Sequence, residues 1–246
     1  MMRNQRELDD LSVRAAMATW RAGEAAFSAE MRAAAALTPR TFDRWLAFHD
    51  LADRLRPAQR RQLLAFLDDV ARPAFRSAAM PTSEAFARLD EINFDAVRAG
   101  ITTASLTGLL TRFACACAPA VYAPATRHAR RGIQAIGYRL PDMSYRSYML
   151  AFMNEHARFA DRVATIVLSA GSAAAERPVM PLDLLVMRAL DRRLMLAGGY
   201  PQEWLAAVIA SAESVVAMPR PVRAAGGSRG VAPPTGHDLL PGETAG

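Results

Sequence analysis

Residues 143–168 read MSYRSYMLAFMNEHARFADRVATIVL, and Tyr145, Tyr148, Met149, Phe152, Phe159, Val163 and Ile166 keep to one face of a helix. The same period governs the chain on both sides of this stretch. Before it, a turn from Pro119 to Pro124 leads into a helix that starts at Pro124 and stops at Gly137, a glycine suited to a helix C-terminus. Another helix covers roughly 102–117. Thr82 or Ser83 caps a helix through Phe86, Leu89, Ile92 and Val97. Pro57 starts a helix whose inner face is Leu63, Leu64, Leu67 and Val70. Its Arg60 and Arg61 come early and Asp68 and Asp69 late, against the macrodipole, so tertiary contacts must hold it. Thr38-Pro39 is an N-cap and first-turn pair, opening a helix with Phe42, Trp45, Leu46, Ala52 and Leu55 along one stripe. Residues 5–37 read as one long helix, or two broken at Gly23, with Leu11, Ala15, Ala18 and Ala22 at helical spacing.

After the central stretch, Ser169 to Met180 is small and reads as a loop. Pro181 opens a helix to about Ala197, Gly198-Gly199 stops it, and Pro201 opens a last one to about Ala217. From Pro219 onward large apolar residues are scarce, so 218–246 is expected to be a disordered tail. The fold expected is all-α: eight to nine helices in a compact globular bundle over 1–217, with a division into 1–80 and 81–217 left open.

Composition fits this. Apolar residues make up 52 % of 246 and charged residues 22 %, a globular balance rich in alanine. The N-terminus has no apolar core of a secretory signal, and the longest uncharged stretch, Phe113 to Thr126, is too short to span a bilayer. Cys115 and Cys117 sit two apart, where a bridge would be strained, and read as small packing residues in a reducing compartment. The expected location is the cytoplasm, with no membrane partner.

All 30 basic residues are arginine. Without lysine there is no Schiff-base nucleophile, no lysine general base and no Walker-type phosphate lysine. The net charge of +6 is uneven: residues 101–200 carry 12 arginines against 6 acids, whereas 1–100 carry 15 against 14. Between Asp95 and Asp142 no acid occurs, yet Arg98, Arg112, Arg127, Arg130, Arg131 and Arg139 all fall there. Thr126-Arg127-His128-Ala129-Arg130-Arg131 lies just inside a helix start, where free N–H groups and guanidinium forks suit a phosphate. The plainer alternative is a solvated arginine face. The candidate nucleic-acid-binding residues are thus Arg112, Arg127, His128, Arg130, Arg131 and Arg139.

Catalytic and metal motifs are missing. The sequence holds no His-Glu-x-x-His, no Gly-x-Ser-x-Gly, no P-loop and no dinucleotide glycine pattern, so no cofactor or metal is expected. His156, between Phe152 and Phe159, reads as a buried, hydrogen-bonded histidine. His49 and Asp53, one turn apart, read as a surface contact or as a base and its orienter.

One segment resembles a known family. Ile101 to Gly137, ITTASLTGLLTRFACACAPAVYAPATRHARRGIQAIG, is followed by the Tyr145–Tyr148 helix and then by PLDLLVMRALDRRL at 181–194. This order resembles bacterial proteins of the 8-oxoguanine DNA glycosylase fold, in the helix-hairpin-helix superfamily. The resemblance covers about 100 residues and lies in spacing more than identity. It implies an all-α fold that grips duplex DNA by its phosphates and flips a base. The chain departs from that pattern at the chemistry. The turn that should carry an aspartate reads Val121-Tyr122-Ala123-Pro124-Ala125, no lysine nucleophile exists, and no glycine-rich hairpin is recognisable. The expectation is therefore a non-catalytic DNA-binding or DNA-associated protein. The alternatives are an interaction protein of a mobile element or defence system, with an acidic protein partner, and an enzyme with a dispersed site around His49. A pocket joining His49 to a second titratable group would favour the last.

Overall fold

The computed structural model describes residues 5–33, 35–52, 55–102, 105–171 and 180–217. Among them there are nine helices and no strand. Helix α1 runs Gln5–Thr19, passes through a π-type segment at Trp20–Glu24 that is kinked at Gly23 (φ 177°, ψ −26°), the break the sequence offered there, and continues as Ala25–Ala33. Helix α2 is Pro39–Phe48. Helix α3 is interrupted more gently: Pro57–Phe66, a π segment at Leu67–Ala71, then Arg72–Arg76. The others are α4 (Ser83–Arg98), α5 (Thr107–Cys117), α6 (Arg127–Ala135), α7 (Tyr145–Gly171), α8 (Leu182–Ala197) and α9 (Gln202–Ala217). The expected tail, 218–246, and the loop residues 172–179 lie outside the described residues, as do Asp53 and His237.

Helix α8 is the centre of the bundle and packs against α1, α6 and α7. Every residue from Leu184 to Asp191 is buried, the pattern of a helix covered on all sides rather than an amphipathic one. One apolar core runs from Val13 on α1 to Met195 on α8, and a small second cluster joins Ala15 and Ala18 to Leu205 and Ile209 of α9.

The closest approach is between α6 and the end of α8. A Cβ on Gly132 would lie 1.9 Å from the Leu194 carbonyl oxygen, and one on Gly198 would lie 1.9 Å from that of His128. Both glycines leave room only for backbone against backbone, so α6 is clamped along one face.

The caps follow the sequence where it names a hydroxyl. Thr38 accepts from Thr41 N at 3.2 Å, Thr82 from Ala85 N at 3.1 Å, and Thr126 from Ala129 N at 3.1 Å. The last of these corrects the expected start of α6 from Pro124 to Thr126. The backbone through Ala125 is spent on tertiary bonds, with Ala123 N donating to Tyr145 Oη and Ala125 N to Thr111 Oγ1. Helix α2 stops at Phe48 because Asp50 turns left-handed, with φ +54°, so Ala52 and Leu55 are not on its stripe.

The macrodipole conflict in α3 resolves as tertiary bonding. Asp68 accepts from Leu37 N at 3.0 Å and pairs with buried Arg72, which also donates to Ala35 O at 2.7 Å. The π segment shifts the face, so Val70 points outward while Ala71 is buried. Asp90 on α4 plays a comparable part, accepting from the backbone N–H groups of Tyr145 (2.7 Å) and Arg146 (3.0 Å) at the start of α7.

Candidate functional site

The six arginine-segment residues divide into two groups. Arg127 and Arg131, one turn apart on α6, are exposed, and Arg139 is exposed just beyond the helix. None of the three makes a hydrogen bond or ion pair among the described residues. Arg158 on α7 is also exposed and lies over the Tyr138 ring at 6.0 Å, next in sequence to Arg139. Glu155, which accepts from the Tyr138 hydroxyl, is engaged by Arg162 at 3.4 Å.

The other three turn inward. Arg130 is half-buried, donates from both Nη atoms to Ser144 O (3.4 and 3.3 Å), and covers the Tyr148 ring at 5.3 Å. His128 meets the Tyr200 ring edge-on, 5.4 Å between centroids. Arg112 is half-buried, donates to Gly108 O at 3.3 Å, and lines a cavity.

That cavity joins His49 to further titratable groups, Glu24 and Cys115, the arrangement named above as favouring a dispersed enzyme site. It lies under the π segment of α1 and is walled by Trp20 and Phe27 of α1, Trp45 of α2 and Cys115 of α5. Glu24, His49, Arg112 and Arg188 bring charge or polarity to it. The kink at Gly23, rather than a regular helical turn, places Glu24 at the cavity wall. Gly23 makes this turn close-fitting, since a Cβ there would come 2.6 Å from the Phe48 ring, which packs on Phe27 and His49. Its volume is about 30 Å³.

Buried charges surround the cavity. Arg188 reaches Glu24 at 3.6 Å and donates to Cys115 O at 3.3 Å. Arg192 bridges Glu24 (2.9 Å) and wholly buried Asp191 (2.6 Å). Further along α1, Asp9 holds Arg162 of α7 at 3.2 Å and Arg193 of α8 at 2.9 Å. Burial raises Asp191 above the usual carboxylate range despite its arginines.

Compared with known protein families, curated proteins and solved structures, the chain matches none. The chemistry of the cavity has to speak for itself.

Burial, and then Arg112, Arg192 and Arg188, lower the His49 pKa from 6.5 to about 3. A base so weak has little driving force to take a proton near neutrality. Its sequence partner Asp53 is outside the described residues. Burial pushes the Cys115 thiol up to about 11, and it donates to Tyr122 O at 3.2 Å, so it is no thiolate nucleophile. Among the described residues no three of His, Cys, Asp and Glu gather as metal ligands. No described helix is long and apolar enough to cross a membrane. His156 is half-buried and its Nε2 has no partner, which corrects the expectation of a hydrogen-bonded histidine.

His49 supplies a pH prediction. Its folded pKa lies below the unfolded 6.5, so the unfolded chain binds the extra proton and stability falls as pH drops from about 6.5 toward 3. The limiting slope for one group is about 1.4 kcal/mol per pH unit, lessened here by water at the cavity mouth. Urea denaturation of His49→Gln between pH 7 and 4 should show a flatter decline than the parent protein. An unchanged decline would assign the acid sensitivity elsewhere.

Proposed function

We propose that this protein binds duplex DNA without catalysing its chemistry, gripping phosphates with Arg127, Arg131 and Arg139. The observation that supports this is their setting: three exposed guanidinium groups without described ion partners, next to a helix clamped backbone-to-backbone on α8. A charge held on a fixed element loses less freedom on binding than one on a loop. The acid-free window from Asp95 to Asp142 keeps repulsive carboxylates of this segment away from such a surface. Among polyanions, duplex DNA is favoured by the resemblance of Ile101 to Gly137 to the glycosylase-fold proteins. The acid-free turn at Val121–Ala125 and the absence of lysine favour binding without base excision. Arg112, Arg130 and His128, turned inward, play no part in this contact.

Three phosphate contacts predict that log affinity falls against log salt with a slope of about −3, since each neutralised phosphate adds about −0.9. Changing Arg127, Arg131 and Arg139 together to Gln should flatten the slope and weaken binding to every duplex alike, because phosphate contacts carry no base information. The melting temperature should stay within a degree or two, as exposed arginines contribute little to stability. Fluorescence anisotropy with two unrelated duplexes at several salt concentrations measures both effects. No binding at low salt, or a slope indifferent to the triple change, overturns the proposal; capture of an acidic protein instead would move the surface to a protein partner.

A further inference from the structure

The cavity beneath the π segment contains polar atoms whose hydrogen bonds the fold leaves incomplete. Trp45 is wholly buried and its indole Nε1–H has no partner; Arg188 Nε and Glu24 Oε2 face each other as an ion pair at 3.6 Å, too long for a hydrogen bond, and neither has another. All three residues line the same space. Buried polar groups are almost always paired, because each orphan costs about 1–3 kcal/mol. One unpartnered donor and a stretched ion pair around one void leave hydrogen bonds for an occupant to complete.

The occupant's size and polarity follow from the walls. A volume of about 30 Å³ is two waters' worth, or one planar ion of about four heavy atoms, given roughly 10–15 Å³ per enclosed water. Trp45 Nε1 and Arg188 Nε both donate, so they call for acceptor oxygens. Glu24 Oε2 accepts only, so it calls for a proton on the same small molecule; its other oxygen is already held by Arg192. The charges at and behind the wall are Arg112, Arg188 and Arg192 against Glu24 and Asp191, so the positive groups outnumber the negative and an anion is favoured over a cation.

We propose that this cavity is a binding site for a small protonated oxyanion of the bicarbonate type. Its oxygens accept from Trp45 Nε1 and Arg188 Nε, and its hydroxyl donates to Glu24 Oε2. His49 stands beside the site as a neutral imidazole. This site is separate from the exposed arginine surface of α6 and stands or falls without it.

Nitrate is the control the geometry recommends, since it matches bicarbonate in plane, charge and heavy-atom count but carries no proton. Calorimetric titration of the full chain at pH 8 and constant ionic strength should show saturable bicarbonate binding, at least tenfold tighter than nitrate. Fluorescence should change with it, because two of the three tryptophans, Trp20 and Trp45, line the cavity. Glu24→Gln should erase the preference for bicarbonate over nitrate. Trp45→Phe keeps the ring and removes the donor, and should weaken both ions about tenfold. Should either variant melt early, the bicarbonate-to-nitrate ratio on the parent protein decides alone. Equal affinities, no saturable binding of either ion, or a preference that survives Glu24→Gln overturns the proposal; two ordered waters would then be the occupants.

Discussion

Gly132→Ala should be among the most destabilising single changes in this protein, costing about 4 kcal/mol, above the roughly 1–3 kcal/mol of ordinary overpacking. The added methyl would sit 1.9 Å from the Leu194 carbonyl oxygen and 2.6 Å from its carbonyl carbon. Neither atom is the end of a flexible side chain, so relief requires α6 to lift off α8. That movement would drag Ala129 and Ile133 out of the core. Gly108→Ala is the internal control. It also lies in a helix, and its Cβ would meet only Arg112 Nη1 at 3.9 Å. There alanine should be neutral or add up to about 1 kcal/mol, the ordinary propensity gain over glycine. Urea denaturation of the two variants would separate a clash from a general glycine effect. Equal stabilities would show that α6 is not clamped.

The second large effect is expected at Asp9. Its carboxylate is almost wholly buried and receives Arg193 Nε at 2.9 Å and Arg162 Nη1 at 3.2 Å. Removing one member of a buried ion pair costs about 3–5 kcal/mol, chiefly because the remaining charge is left without compensation. Arg162 keeps Glu155 and is partly open to solvent, whereas Arg193 has only Asp9 as an ion partner among the described residues. Asp9→Ala should therefore fall near the lower end, about 3 kcal/mol. Asp9→Ala combined with Arg193→Met should recover part of it, since no stranded charge remains. High salt should change little, as the pair is shielded from solvent ions. A cost under about 1 kcal/mol would mean that Arg193 finds water instead.

Where the sequence spells out a local rule, the structure follows it. Thr38-Pro39 caps and opens α2, Gly199 adopts a left-handed turn after α8, and the aromatic face of α7 is buried from Tyr145 to Val163. The π segment at Leu67–Ala71 has no residue that marks it, whereas the kink in α1 falls on Gly23, the break the sequence offered. This is why Ala22, in step with Ala15 and Ala18 on a regular helix, is exposed beyond the turn at Trp20. The candidate site divides on the same principle. An acid-free window is a property of the string and could be seen there. Which arginines face outward depends on how α6 is rotated by its glycine contact. The cavity draws on residues as far apart as Glu24 and Arg188, and no periodicity links them. Arg188 and the Asp191–Arg193 triplet, charges in a mostly apolar helix, are the signal in the string that buried partners are needed.

The pairing of Asp9 with Arg193 spans 184 residues. A ribosome adding about 5–20 residues per second would present α1 for roughly ten to forty seconds before its partner on α8 emerges. During synthesis α1 therefore waits for α8 with an uncompensated carboxylate and a bare alanine face. Contacts this distant also slow folding of the finished chain, since a large loop must close before they reward it. Helix α1, made well before α8, is among the last segments to be locked in place.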